Sequence, residues 1–228
     1  MGELKVKEKD LVIPGEILAE GMDYLPSTGT FREGEHILSS LVGLTYISGR
    51  LIKVIPLSGK YVPKKDDMVI GTVKNITLNG WIIELGGPYT GMLTLKEASS
   101  DFIERGADLS QYFDFGDMLV TKIVNITKSK IIDFTMKGPG LRKLKGGKVI
   151  QITPSKVPRV IGKQGSMISM IKESTGCRVI IGQNGRVWIS GNKPEEELKA
   201  TRAIMIIEQE SHTEGLTDKI KNFLEKGV

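Results

Sequence analysis

The chain has 228 residues, 39% apolar and 26% charged, which suits two or three compact modules and argues against wholesale disorder. A single cysteine, Cys177, excludes an internal disulfide framework and cysteine-based zinc ribbons, and no apolar run reaches the length of a membrane span. Net charge is +5 and uneven: residues 128–163 hold ten basic residues against one acid, Asp133, which points to a polyanionic partner.

Residues 1–62 carry seven basic and eight acidic residues, so the excess lies further on. Their short apolar runs are punctuated at Val12-Ile13-Pro14-Gly15, Pro26-Ser27-Thr28-Gly29 and Ile47-Ser48-Gly49, which predicts a small all-β module. His36 has no Cys or His near it in sequence, which argues against a metal role. The charged start (residues 1–10) is unlike a secretory signal, and a cytoplasmic protein is expected.

A junction containing Asp66 and Asp67, both read as turn residues, opens a second module at 63–146. Five β-rich runs follow, at 69–73, 81–85, 91–95, 118–124 and 130–135. Asn79-Gly80 reads as a hairpin turn because both positions tolerate positive φ. A polar, helix-tolerant insertion covers roughly 96–112. Strands of this number and spacing suit a closed five-stranded barrel of the OB type.

A basic, glycine-rich linker over 137–148 leads to a mixed module at 147–210. Its predicted order is β-α-α-β-β-α, with Pro158 able to open the first helix and Glu195, Glu196 and Glu197 in the first turn of the last. The remaining stretch, 211–228, reads either as an extra helix, from the spacing of Leu216, Ile220 and Phe223-Leu224, or as a tail in which His212 is solvated.

Between the two predicted helices of the mixed module lies Val160-Ile161-Gly162-Lys163-Gln164-Gly165-Ser166-Met167-Ile168. Alone, G-x-x-G also fits an ordinary helix-turn-helix. Within β-α-α-β-β-α it resembles the type I KH domain, whose two glycines let backbone approach a phosphodiester ahead of a helix N-terminus. That resemblance makes Gly162, Lys163, Gln164 and Gly165 the candidate RNA grip.

The middle module resembles the S1 domain in Gly71-x-Val73, Asn79-Gly80-Trp81-Ile82-Ile83-Glu84-Leu85, Gly91-Met92-Leu93 and Gly116-Asp117-Met118. It departs from the family at Ile82 and Thr94, where sequence-reading members often have Phe and His. Trp81 is the nearby aromatic, offset by one position. With those stacking platforms missing, RNA contact is expected at Trp81 and through the cations Lys122, Lys128, Lys130, Arg142 and Lys145. Lysines on strands serve equally as edge protection.

An N-terminal β module, one S1 and one KH resemble the RNA-binding cap subunit of the archaeal exosome. Gly29-Thr30-Phe31-Arg32-Glu33-Gly34, Gly59-Lys60-Tyr61-Val62-Pro63 and the G-x-N-G of Gly182, Asn184 and Gly185 carry the likeness. That G-x-N-G also reads simply as a structural turn with positive φ. The resemblance implies a non-catalytic protein that hands single-stranded RNA to a ring of RNase PH-like subunits. Three copies would sit on the ring, alone or mixed with another cap protein, docked through the N-terminal module.

No paired carboxylates, Ser/His/Asp set or metal cluster stands out, so no catalytic residue, metal or cofactor is expected. An RNA-binding transcription-elongation factor also places S1 before KH, usually with tandem KH domains. Phosphorolytic nucleases with these modules carry KH before S1, behind catalytic domains for which this chain has no room.

Overall fold

The computed structural model describes residues 2–101, 103, 104, 106–211, 213 and 215–226. His212 lies outside them. The chain divides into two compact units, Met1–Gly59 and Lys60–Val228. Among the described residues no helix is long and apolar enough to cross a membrane.

The first unit is all β. Strands β1 (Glu3–Leu4), β3 (Ile17–Glu20), β6 (His36–Ser39) and β5 (Thr30–Glu33) form one sheet in that order. A second sheet runs β2 (Leu11–Val12), β7 (Gly43–Ser48), β8 (Leu51–Pro56) and β4 (Leu25–Pro26). Val12, Leu18, Ala19, Ile37, Ile52 and Val54 form the core, each 0 or 1% exposed. Alternation along β8 sends Ile52 and Val54 inward and leaves Leu51 and Ile55 outside.

The second unit begins with a barrel. Strands β9 (Met68–Thr77), β10 (Gly80–Glu84), β11 (Thr90–Thr94), β12 (Met118–Ile126) and β13 (Ile132–Thr135) pair in the cycle β9-β10-β11-β13-β12-β9, closed by the parallel β11–β13 contact. The expected five-stranded OB architecture is therefore present. Strand β14 (Arg142–Leu144) adds antiparallel to β12.

The hairpin joining β9 and β10 differs from expectation. Thr77 pairs with Gly80, so Leu78 and Asn79 form the turn and Gly80 already belongs to the strand. Gly80 has φ 145°, and a Cβ there would collide with the Leu93 carbonyl on β11. The glycine serves close strand approach rather than turn geometry. The insertion holds one helical turn, α1 (Leu95–Ala98), and a 3₁₀ turn at Leu109–Gln111.

The remainder runs β15 (Lys148–Gln151), α2 (Val157–Ile161), α3 (Ser166–Thr175), β16 (Arg178–Ile181), β17 (Arg186–Ser190) and α4 (Pro194–Gln209), the anticipated β-α-α-β-β-α. Its sheet is antiparallel in the order β15-β17-β16. Glu196 closes a capping box at the start of α4, beside Glu195 and Glu197 in the same turn.

A further helix, α5 (Leu216–Lys226), decides between the two expectations for the end of the chain. Leu216, Ile220 and Leu224 repeat every four residues and are 1%, 0% and 4% exposed within the core of the mixed module. Truncating one of them leaves a cavity that the packed helices refill only in part. Ile220→Ala should lower stability by about 2–5 kcal/mol in urea denaturation.

Candidate nucleic-acid interface

The loop between α2 and α3 has the backbone that its glycines promise. Gly162 has φ 78° and ψ 172°, Gln164 φ 53°, and Gly165 φ 80° and ψ 10°. A Cβ on Gly162 would sit 2.7 Å from the Met167 backbone nitrogen, so no other residue fits without moving α3. Space around Gly165 is open, but its φ favours glycine. Lys163 and Gln164 are both exposed. No side chain caps α3, so backbone N–H groups of its first turn stay available to an anion.

The barrel sorts the remaining candidates. Trp81 does not contact solvent at all: it is 0% exposed, its Nε1 donates to the Phe113 carbonyl at 2.8 Å, and the Phe113 ring packs edge-on at 5.1 Å. The expectation that it touches RNA is corrected by strand parity. On β10, Trp81 and Ile83 face the core, while Ile82 and Glu84 face out.

Lys122 is half-exposed and pairs with Asp66 at 2.8 Å. Hydrogen bonding and attraction from Lys122 hold the Asp66 carboxyl below the usual range. Asp66 also takes positive φ (71°), in keeping with its turn position. Lys128 and Lys130 are exposed on the loop joining β12 and β13, and Lys130 itself has φ 59°. Lys130 borders a 460 Å³ depression with Ile82, Tyr89 and Met92 on the outer barrel face. Tyr89 is an aromatic that motif reading missed; its signal was its position just before β11, among Gly86, Gly87 and Pro88. Lys145 is exposed in the linker and Arg142 is exposed on β14, on the other flank of the barrel.

The G-x-N-G turn has a larger role than hairpin geometry. Gly185 alone of its residues takes positive φ (80°). Asn184 is 2% exposed and reaches into the barrel: its Oδ1 accepts from Ile70 N–H at 3.2 Å, and its Nδ2 donates to the carbonyls of Ile70 (2.8 Å) and Leu85 (2.9 Å). A Cβ on Gly182 would lie 2.8 Å from Ile70 N, so the turn and β9 meet only because a glycine stands there.

Arg186 reinforces the junction. Its guanidinium bonds Glu84 Oε1 at 3.0 Å, Thr72 Oγ1 at 3.1 Å and the Glu84 carbonyl at 3.2 Å. Trp188 packs with Ile70, Val120 and Leu144 and donates from Nε1 to the Gly146 carbonyl at 2.8 Å. Barrel and mixed module thus share a polar staple and an apolar cluster.

Two family models match the chain. One, the exosome RNA binding protein RRP4 N-terminal domain, covers residues 9–58, and a KH domain model covers 147–195. An exosome complex component Rrp4 from Methanothermus fervidus is 46% identical over 99% of both chains. The chain belongs to the Rrp4 family. The Rrp4 protein of Pyrococcus furiosus is 45% identical over 98% of this chain and 86% of its own, and that of Methanobrevibacter smithii 45% over 98% and 73%. A crystal structure described as that of an exosome complex RNA-binding protein superposes with a TM-score of 0.67 at 32% identity, over 74% of this chain and 97% of the other.

In this Rrp4 relative, replacing Asn184 by Ala would leave backbone groups of β9 and the β10 end buried without their partners. Each orphan costs about 1–3 kcal/mol. Asn184→Ala should therefore destabilise the second unit by at least about 2 kcal/mol and speed hydrogen exchange at Ile70, both measurable on the purified chain.

Proposed function

We propose that this chain is a non-catalytic RNA-binding component of an archaeal exosome, one that captures single-stranded RNA for RNase PH-like ring subunits to degrade or extend. The observation that carries this reading is the Gly162–Gly165 loop, open to a phosphate and flanked by Lys163, in a chain alike along its length to exosome components. The barrel's outer face supplies a second weak surface, with Lys128, Lys130 and Tyr89 around Ile82 and Met92.

The N-terminal unit would be the docking module. On its second sheet Leu11 lies beside Leu44 and Leu44 beside Ile55, forming an outward apolar row across three strands. Leu11 is 61% and Ile55 46% exposed, as suits a surface that meets protein. With three copies on one ring, alone or beside another cap protein, weak RNA contacts add through effective concentration. A cytoplasmic location fits this role.

Two variants separate the two halves of the proposal. Lys163→Asp with Gln164→Asp keeps both glycines, and should weaken binding of a labelled oligoribonucleotide at least tenfold in fluorescence anisotropy while leaving the fold intact. Gly162→Asp is a poorer test, because it crowds Met167 and perturbs α3. Leu11→Glu with Ile55→Glu should abolish recovery of ring subunits in a pull-down and leave oligoribonucleotide affinity unchanged. Recovery of RNA polymerase subunits by the wild-type chain would favour the transcription-elongation alternative instead, and phosphate-dependent RNA decay by the isolated chain would contradict a non-catalytic role.

A further inference from the structure

A 310 Å³ cavity lies where the barrel flank meets the KH fold. One wall is Met68, Gly140 and Arg142, from β9 and from the segment entering β14. The other is Ile161, Ile168, Lys172 and the β16 residues Val179, Ile180 and Ile181. Its lining is apolar apart from Arg142 and Lys172. Both cations are exposed, and among the described residues neither has an ion-pair partner within 4.0 Å.

The walls are held at a fixed separation. The Met68 carbonyl accepts from Gln183 N–H at 2.8 Å, and Asn184 binds Ile70 two residues further along the same strand. The cavity also abuts the candidate RNA grip, since Ile161 directly precedes Gly162.

We propose that this cavity is a single-nucleotide subsite built jointly by the barrel and the KH fold, with the base between Met68 and the isoleucines and the phosphate between Arg142 and Lys172. It rests on the RNA-binding reading above and assigns Met68 and Arg142, both outside the KH fold, to the same RNA path as the Gly162–Gly165 loop.

Three observations favour this occupant. An apolar slot with positive charge only among its polar side chains matches a flat heteroaromatic ring carrying a phosphate, which must bury its faces while keeping its anion solvated. Met68 offers a polarizable thioether to such a ring. The size is restrictive: small-ligand sites span roughly 300–1,000 Å³, so this cavity takes one base, whereas an open KH surface clamps about four nucleotides. The barrel wall thereby shortens the stretch of RNA that the KH fold alone could hold.

The test uses the full chain, a labelled oligouridylate and its 4-thiouridine-substituted form. Photocrosslinking of the wild-type protein should yield peptides from both walls, one containing Met68 and one spanning residues 161–172. Arg142→Gln with Lys172→Gln should reduce the slope of log affinity against log salt by about 0.7 for the phosphate released, with an unchanged thermal melt.

Crosslinks confined to the outer barrel face around Ile82 and Lys130, with an unchanged salt slope, would overturn the subsite. If Lys163→Asp with Gln164→Asp still weakens RNA in that case, the RNA-binding function stands and only the subsite falls. Absence of any RNA binding by the wild-type chain overturns both. Loss of a ring subunit rather than of RNA in the double glutamine variant would make the occupant an acidic protein segment, and would also overturn it.

Discussion

The second unit depends on one buried amide. Asn184 sits at the tip of a two-stranded hairpin, yet every hydrogen bond of its side chain goes to backbone of the barrel, at Ile70 and Leu85. A primary amide can donate and accept at once, and here it completes the polar groups of a strand pointing toward the neighbouring fold. Aspartate lacks the donors and leucine lacks both functions. Gly182 removes the side chain that would keep the turn away, and Arg186 adds its bonds to Glu84 and Thr72 around the same contact. Orientation between the two folds is thus set by short, directional bonds rather than by the glycine-rich linker that joins them.

That fixed orientation gives the cations their meaning. Arg142 belongs to a strand added to the barrel, but it lines the same cavity as Lys172 of α3. Lys128 and Lys130 lie on a different loop, beside the outer barrel face. A uniform basic surface would attract RNA without guiding it. Two separated cationic sites, one continuous with the glycine loop, impose a direction on a bound strand.

How much of this the sequence disclosed depended on where each residue's partners lie. The glycine loop was legible because its requirements are local: positive φ at Gly162 and Gly165 and an apolar helix immediately after. The barrel's strand count followed from alternation and spacing for the same reason. Trp81 was misassigned because a strand's inward face is known only once its register is fixed. Its partner, the Phe113 carbonyl, is 32 residues away. Asn184 drew notice as part of a motif, but its partners at Ile70 lie 114 residues away, and nothing in the turn itself signals them. The spacing of Leu216, Ile220 and Leu224 was visible, whereas the surface that receives them was not. Lys122 could not be separated from the other strand lysines until the fold brought Asp66 beside it.

The burial of both tryptophans has an optical consequence. The chain has two, and neither lies in the N-terminal unit. Trp81 is sealed in the barrel interior, while Trp188 occupies the apolar cluster between barrel and KH fold. Intrinsic fluorescence excited at the indole band therefore reports two places only: the integrity of the barrel and the closure of the junction. Separation of the two folds would wet Trp188 and shift its emission to the red while Trp81 stayed blue. Events on the N-terminal unit would be silent in the same spectrum, so the molecule carries its own gauge of whether barrel and KH fold remain joined.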